Sequence, residues 1–226
     1  MKNLIVLLFV VFAIPGMAQE TQQRNVGSFS GVKVAEGIDV YLKKGDKEAV
    51  RVEVTGTKIE NIVTEVSGSY LKVHMADGNH RGRIQAKVYV TYVSLDRLSA
   101  SSAGNIFSED IIRGDEMEIQ CSSAGNIEVT LDFQSVEVSA SSAGQVELQG
   151  KSKSLQADAS SAGQIDAYDL DSERVEAEAS SGASMKVSVQ SSFVANASSG
   201  GSIRYRGNPG KSITNSSSGG SVKKSS

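Results

Sequence analysis

A seven-residue pattern built on Ser-Ser-Ala-Gly, or on a close variant, occurs seven times in this chain. The copies begin at residues 100, 121, 140, 159, 179, 197 and 216, so successive copies are 21, 19, 19, 20, 18 and 19 residues apart. A flexible Ser- and Gly-rich linker has no physical reason to keep such a period. The repeat is typical of an architecture in which one short unit stacks on the next.

Apolar and polar residues alternate on both sides of each copy. Met117, Ile119 and Cys121 lead into one copy, and Ile127 and Val129 follow it. This period of two predicts half-buried strands on either side of a corner. Small residues fit a corner where backbones converge, Gly accepts positive φ there, and Ser hydroxyls can bond backbone groups left unpaired at the bend.

A unit of about two short strands cannot bury its own apolar face, so it must stack on its neighbours. We therefore predict an all-β protein whose residues 96–226 form a parallel β-solenoid of about seven 19-residue coils. Antiparallel hairpins at this period are the alternative, but they favour Asn-Gly turns, which the chain lacks. Stacking predicts an internal ladder of Ile106, Ile127, Val146, Ile165, Met185, Ile203 and Val222. It also predicts a column of corner serines, namely Ser102, Ser123, Ser142, Ser161, Ser181, Ser199 and Ser218.

Residues 1–18 have the pattern of a secretory signal peptide. Lys2 precedes an apolar run at 4–14, and the small residues Gly16 and Ala18 mark a cleavage site. The apolar run is too short for a membrane span, which needs about 20 residues, and no later stretch is longer. Residue 19 is not Cys, which argues against a lipid anchor. We expect export to the periplasm, the cell surface or the medium.

The segment between the signal peptide and the repeats divides into two parts. Residues 19–27 are predicted to be a short linker, and residues 28–95 an N-terminal β region that caps the solenoid. Residues 32–40 look like a divergent coil, because a Val-x-Val run precedes Gly37 and Ile38 as strands precede the later corners. Atypical first units commonly cap repeat proteins.

Several segments together resemble the bacterial head-GIN domain family of auto-transporter-type adhesins. They are Phe-Ser-Gly-Val-Lys-Val at 29–34, Gly-Ile-Asp-Val-Tyr-Leu at 37–42, Val-Glu-Val-Thr-Gly at 52–56, Ser-Tyr-Leu-Lys-Val at 69–73 and the Ser-Ser-Ala-Gly-Asn-Ile corners. The resemblance implies an exported, right-handed β-helix-like fold and a role in adhesion. It carries over no catalytic or binding residue.

Composition and motifs offer little for catalysis or cofactor binding. The formal net charge is −3, and it becomes −4 once Lys2 leaves with the signal peptide, which argues against a nucleic-acid partner. The lone Cys121 replaces a corner Ala and is predicted to be a buried small residue. His74 and His80 lack the spacing of a metal site, and no phosphate-binding loop is found, so we predict no metal and no cofactor.

Three sequence features bear on function. A polysaccharide-active enzyme needs converging carboxylates, whereas the acidic residues are predicted to be scattered over a solvated surface, so we expect no enzymatic activity. Arg113, Gly114 and Asp115 form a known cell-attachment tripeptide, for which an ordinary turn is the simpler interpretation. The carboxylates concerned are Asp132, Glu147, Asp166, Asp169 and Glu178. The tyrosines are predicted to form no sugar-binding platform. They are Tyr41, Tyr70, Tyr89, Tyr92, Tyr168 and Tyr205.

The sequence therefore favours a surface-binding protein, an adhesin, whose partner is a surface glycan or a protein. No ligand-binding residue is assigned. The first alternative is a structural or assembly module of the cell envelope, because the final coil, residues 211–226, lacks an evident cap and could pair end to end with another chain. Against this alternative, Lys223 and Lys224 place charges on the final coil that would discourage such pairing. The second alternative is a polysaccharide-active enzyme built on a β-helix.

Overall fold

The computed structural model describes residues 19–78 and 82–225, so the predicted signal peptide lies outside the described residues. The described chain forms seventeen strands and one short 3-10 turn at Ile59–Asn61. The N-terminal strands are β1 Glu20–Arg24, β2 Gly31–Val34, β3 Asp39–Lys44, β4 Ala49–Thr55, β5 Ile62–Ser67, β6 Tyr70–Met75 and β7 Gln85–Tyr92. The repeat strands are β8 Arg97–Ala100, β9 Asn105–Ser108, β10 Ile112–Cys121, β11 Asn126–Ala140, β12 Gln145–Ala159, β13 Gln164–Ala179, β14 Ser184–Ala197, β15 Ser202–Arg206, β16 Lys211–Ser216 and β17 Ser221–Lys224.

The repeat strands stack in parallel and in register, which confirms the predicted solenoid. Each corner copy separates two walls of the solenoid. The pre-corner wall consists of the strand segments that lead into the corners, and the post-corner wall consists of the segments that follow them. Strands β11 to β14 each run from one corner to the next. The predicted internal ladder is confirmed along its whole length, from Ile106 through Ile127 to Val222. A second ladder of Ala100, Cys121, Ala140, Ala159, Ala179 and Ala197 packs beside it on the pre-corner wall.

Each corner is a tight turn in which two consecutive residues have positive φ. Ser123 and Ala124 have φ of 51° and 58°, and the amide of Gly125 donates to the carbonyl oxygen of Ser122 at 2.9 Å. Two central residues with positive φ define a type I′ turn. The expectation that the corner glycine supplies the positive φ is wrong for this copy, since Ser and Ala do so.

The glycine that closes the corner is required for a different reason. A Cβ on Gly125 would lie 2.8 Å from the carbonyl oxygen of Ala100 in the preceding coil. The last three copies instead place Gly182, Gly200 and Gly219 at the third corner position, with φ of 73°, 76° and 78°. The third position therefore needs a residue that tolerates positive φ, and the fourth needs space for a neighbouring backbone.

The N-terminal region contains one divergent coil, as predicted for residues 32–40. Glu36 and Gly37 have φ of 63° and 69°, and β2 and β3 pair in parallel with β8 and β9. The remaining strands extend the two walls rather than adding coils. On the pre-corner wall β6 pairs in parallel with β2 and antiparallel with β5, and on the post-corner wall β3 is followed by β7, β4 and β1.

The two ends of the described chain differ in how they are closed. The segment 19–27, predicted as a linker, contains β1, which pairs antiparallel with β4 although its side chains show no apolar alternation. An edge strand needs only its backbone to join a sheet, so β1 carries no apolar alternation by which it could be predicted. At the other end β16 is exposed at every position and Ile213 is 46% exposed. Within residues 19–78 and 82–225, no helix is long and apolar enough to cross a membrane.

Candidate functional site

Outward side chains of the post-corner wall form one straight line along the solenoid, here called the axial row. The line arises because each strand pairs in register with the next, so side chains recur about every 4.8 Å. Its members, in spatial order, are Gln23, Arg51, Tyr89, Tyr41, Phe107, Glu128, Glu147, Asp166, Lys186, Arg204 and Lys223. The row changes from aromatic to acidic to basic along its length.

The aromatic part of the row is a stack of three rings. The Tyr41 ring centroid lies 5.3 Å from that of Tyr89 and 5.3 Å from that of Phe107, with interplanar angles of 20° and 25°. The Arg51 guanidinium carbon lies 3.9 Å from the centroid of the Tyr89 ring, and Arg51 also pairs with Glu53. Tyr41 and Tyr89 are thus brought together, but their faces pack against neighbouring side chains, so the absence of a sugar-binding tyrosine platform stays a prediction.

A shallow groove of about 380 Å³ runs along the aromatic stack. The small side chains of Ala49 and Thr91 lie opposite each other in the register of β4 and β7, and this leaves space beside the rings. We call this space the aromatic groove. Its side chains include Tyr41, Tyr89, Arg51, Lys43, Thr91, Glu109, Gln23 and Ala49.

The acidic part of the row brings together carboxylates that were predicted to be scattered. Glu147 and Asp166 are register neighbours, and Glu128 precedes them. The Lys186 ammonium lies 2.6 Å from Asp166, and this hydrogen bond raises the pKa of Lys186. Gln149 donates to Glu147 at 3.2 Å. The expectation of scattering is thus wrong for this pair, because the register of β12 and β13 aligns them.

The other candidate carboxylates lie apart from the row and have their own partners. Asp132 is 3.7 Å from Arg113 and 3.4 Å from Lys151. Asp169 is 3.2 Å from Arg206, and Glu178 accepts a hydrogen bond from the amide of Asn196 at 3.1 Å. These contacts stabilise the solenoid surface and assemble no common site.

The distribution of charge along the chain is uneven. Residues 96–180 contain 17 Asp and Glu against five Lys and Arg, whereas residues 181–226 contain six Lys and Arg and no Asp or Glu. Lys186, Arg204 and Lys223 of the axial row belong to this basic end. Anionic ligands are therefore repelled by the middle of the solenoid and attracted to its last coils.

The Arg113 to Asp115 tripeptide lies within β10, not on a turn. Gly114 pairs with Phe133 in the parallel register, and a Cβ on Gly114 would lie 2.6 Å from the Phe133 ring. The interpretation as an ordinary turn is therefore wrong. A cell-attachment tripeptide presents both of its charged side chains to a receptor from a protruding loop. Here the tripeptide is part of a strand, and Arg113 points to Asp132 instead.

The side chains of Cys121 and His74 both contact backbone carbonyl oxygens. Cys121 is 2% exposed, its thiol donates to the carbonyl oxygen of Gln145 at 3.3 Å, and burial raises its pKa to about 11. The prediction of a buried small residue is confirmed. His74 Nδ1 is 2.7 Å from the backbone oxygen of Met75, while His80 lies outside the described residues. No cluster of three His, Cys, Asp or Glu suited to a metal occurs in the described part of the chain.

Solved structures of bacterial proteins share this fold. A putative adhesin from Bacteroides fragilis NCTC 9343 is 20% identical, with a TM-score of 0.82, covering 93% of this chain and 99% of that one. A putative adhesin from Parabacteroides merdae ATCC 43184 is 15% identical, with a TM-score of 0.77, covering 92% and 96%. A putative lipid binding protein from Parabacteroides distasonis ATCC 8503 is 17% identical, with a TM-score of 0.67, covering 92% and 97%.

Comparison with curated proteins found no match. A family model described as "Putative auto-transporter adhesin, head GIN domain" matches residues 28–209, which is most of the chain. This match confirms the resemblance inferred from the motifs at 29–42 and from the corners. The chain therefore belongs to the head-GIN domain family of putative adhesins.

Proposed function

We propose that this protein is an exported, non-catalytic adhesin that binds a surface glycan or protein along its post-corner wall. The axial row carries the proposal. It offers eleven outward side chains in one line about 50 Å long, fixed by backbone pairing from β1 to β17. A surface already held in its binding geometry loses little conformational entropy on contact, which favours binding to an extended partner.

The arrangement of the carboxylates supports a non-catalytic role. Glycoside hydrolysis uses two carboxyl groups placed on either side of the scissile bond. Glu128, Glu147 and Asp166 instead lie side by side along one wall, and amide or ammonium groups bond to them. Such a row can hold a cation-bearing or hydroxyl-rich ligand, but it does not enclose a bond for cleavage.

The proposal is tested by binding of the purified protein to immobilised matrix proteins and to a glycan array. We expect the folded protein to bind at least one surface well above the heat-unfolded protein. Equal signals from the two would contradict adhesion. Release of reducing sugar from any arrayed polysaccharide would contradict the non-catalytic part, and retention of the protein in the cytoplasmic fraction of its native cells would contradict export.

End-to-end assembly is a second candidate, favoured by the exposed final coil. β16 and β17 pair with β14 and β15, and within the described chain no strand pairs beyond them. Two identical basic ends repel each other, so an assembly would join the C-terminal coil of one copy to the N-terminal end of another. Light scattering that reports a monomer at all protein and salt concentrations would exclude this candidate.

A further inference from the structure

We infer that the aromatic groove binds a neutral oligosaccharide, an inference that rests on the proposed role in surface binding. The groove combines the two kinds of surface that a sugar requires. The faces of the Tyr41 and Tyr89 rings are covered by neighbouring side chains, so their edges offer apolar C–H surface to a sugar ring. Hydroxyl, amide, ammonium and carboxylate groups surround these edges. Its volume of about 380 Å³ lies in the range typical of small-ligand sites, roughly 300–1,000 Å³.

The rings are held in place before any ligand arrives. Tyr41 is packed between Tyr89 on one side and Phe107 on the other, at 5.3 Å in both cases. Arg51 covers the free side of Tyr89 and is itself held by Glu53. Tyr41 and Tyr89 are half-buried and line the groove, so part of each ring still faces it. Immobile rings lower the entropic cost of binding a weakly interacting ligand such as a sugar.

An added peptide strand does not suit this position. Strand addition needs an unpaired sheet edge. The strands beneath the rings, β3, β7 and β4, each pair on both sides, β3 with β9 and β7, and β4 with β7 and β1. Among the described strands at the groove only β1, which contributes Gln23 at its border, is an edge strand. A ligand here must therefore bind through side chains, as a sugar does.

The surrounding charges favour a neutral sugar over an acidic one. Arg51 is already paired with Glu53, which leaves Lys43 as the cation of the groove without an acidic partner among the described residues. Glu109 lines the same groove, and the axial row continues from Phe107 directly to Glu128 and Glu147. A uronic-acid chain that followed the row would meet these carboxylates and be repelled.

Binding can be measured with defined probes. We would titrate the purified protein with neutral hexasaccharides of glucose, mannose, xylose and N-acetylglucosamine, and with a hexagalacturonate. The chain has no Trp and two of its six Tyr line the groove, so binding there should change the tyrosine fluorescence, and saturation-transfer NMR identifies the bound sugar protons. We expect at least one neutral hexasaccharide to bind and the hexagalacturonate to bind at least tenfold more weakly.

Two groove variants and one matched control test the site. Tyr41→Leu removes the central ring, and Ala49→Arg fills the groove from an exposed position without altering the core. Both should weaken binding at least tenfold. Tyr168→Leu is the control, because Tyr168 is also half-buried beside cations, Lys186 at 5.6 Å and Arg206 at 5.4 Å, but lies outside the groove. It should leave affinity unchanged.

Three results would overturn the inference. They are no binding of any neutral hexasaccharide, preferential binding of the hexagalacturonate, or unchanged affinity of both Tyr41→Leu and Ala49→Arg. If matrix or cell binding persists in any of these three cases, the proposed adhesin function stands and only the groove assignment fails. Loss of matrix binding in Tyr168→Leu as well as in Tyr41→Leu would indicate a general surface effect and would also overturn the assignment.

Discussion

The backbone amide of Ala103 donates a hydrogen bond to the carbonyl oxygen of Ser123 in the next coil, at 3.1 Å. The same bond links every successive pair of corners, up to Gly200 and Ser218 at 3.2 Å. The predicted column of corner serines is thereby confirmed. Backbone groups at the bends bond to one another, while the hydroxyls of the second corner position are exposed.

This corner ladder predicts the effect of substitutions at Ser142, which has φ of 49°. An L-residue in this region costs roughly 1–2 kcal/mol, and a β-branched residue costs more. We expect Ser142→Val to lower the free energy of unfolding by about 2 kcal/mol and Ser142→Gly to change it by less than about 1 kcal/mol. Urea denaturation followed by circular dichroism measures both. Equal stabilities of the two variants would show that the left-handed geometry is not what limits this position.

Two glycines of neighbouring corners should respond differently to alanine. A Cβ on Gly163 would lie 2.3 Å from the carbonyl oxygen of Ala140, whereas a Cβ on Gly182 has no atom within 4 Å. Gly163→Ala should therefore lower the free energy of unfolding by about 1–3 kcal/mol. The loss stays within this range because the neighbouring backbone can shift, as Ala183 at the equivalent position of the fifth corner shows.

Gly182→Ala is the matched variant, because Ala fills this third position in the first four corners. It should change the unfolding free energy by no more than about 1 kcal/mol. Thermal unfolding of the two proteins side by side tests the pair. A larger loss for Gly182→Ala than for Gly163→Ala would contradict the different roles assigned to the third and fourth corner positions.

The thiol of Cys121 should be unreactive in the folded protein. Burial raises its pKa to about 11, so the thiolate is scarce at pH 8, and the side chain is 2% exposed. We expect alkylation by iodoacetamide to occur only after unfolding in denaturant, as followed by mass spectrometry. Cys121→Ala restores the residue found in the neighbouring coils and should cost about 1 kcal/mol or less. Rapid alkylation under native conditions would show that this part of the core opens.

Tyr92 should make stability depend on alkaline pH. Its ring is 2% exposed, its hydroxyl has no hydrogen-bond partner among the described residues, and burial followed by the charge of Asp110 raises its pKa to about 12. Above pH 10 the unfolded chain loses this proton first, so stability falls as the pH rises from 10 to 12. The loss should be about 2 kcal/mol at most.

Tyr92→Phe should remove that part of the pH dependence. At neutral pH the variant should be as stable as the parent, or more stable by about 1 kcal/mol, because a buried hydroxyl without a partner is deleted. Denaturant titrations of both proteins at pH 8 and pH 11 measure the difference. Parallel decreases in the two proteins would show that Tyr92 is not the responsible group.

The repeat half of the fold was predictable because each prediction concerned a local period. Ile127, Cys121 and Ser123 recur at fixed positions in each unit, and stacking of equal units puts like residues next to each other. The divergent coil at 32–40 followed from the same pattern. The tripeptide at 113–115 was misread, because the longest interval between corners holds strand rather than loop.

By itself, the sequence determined which side chains point inward, where the chain turns and how far one coil lies from the next. These properties depend on residues that are near in sequence. Only the tertiary structure decided that Tyr89 stacks on Tyr41, although 48 residues separate them. Alternation fixes the face on which a side chain lies, but its neighbour on that face depends on strand order and register, which in the non-repeating N-terminal region are set by packing of the whole sheet.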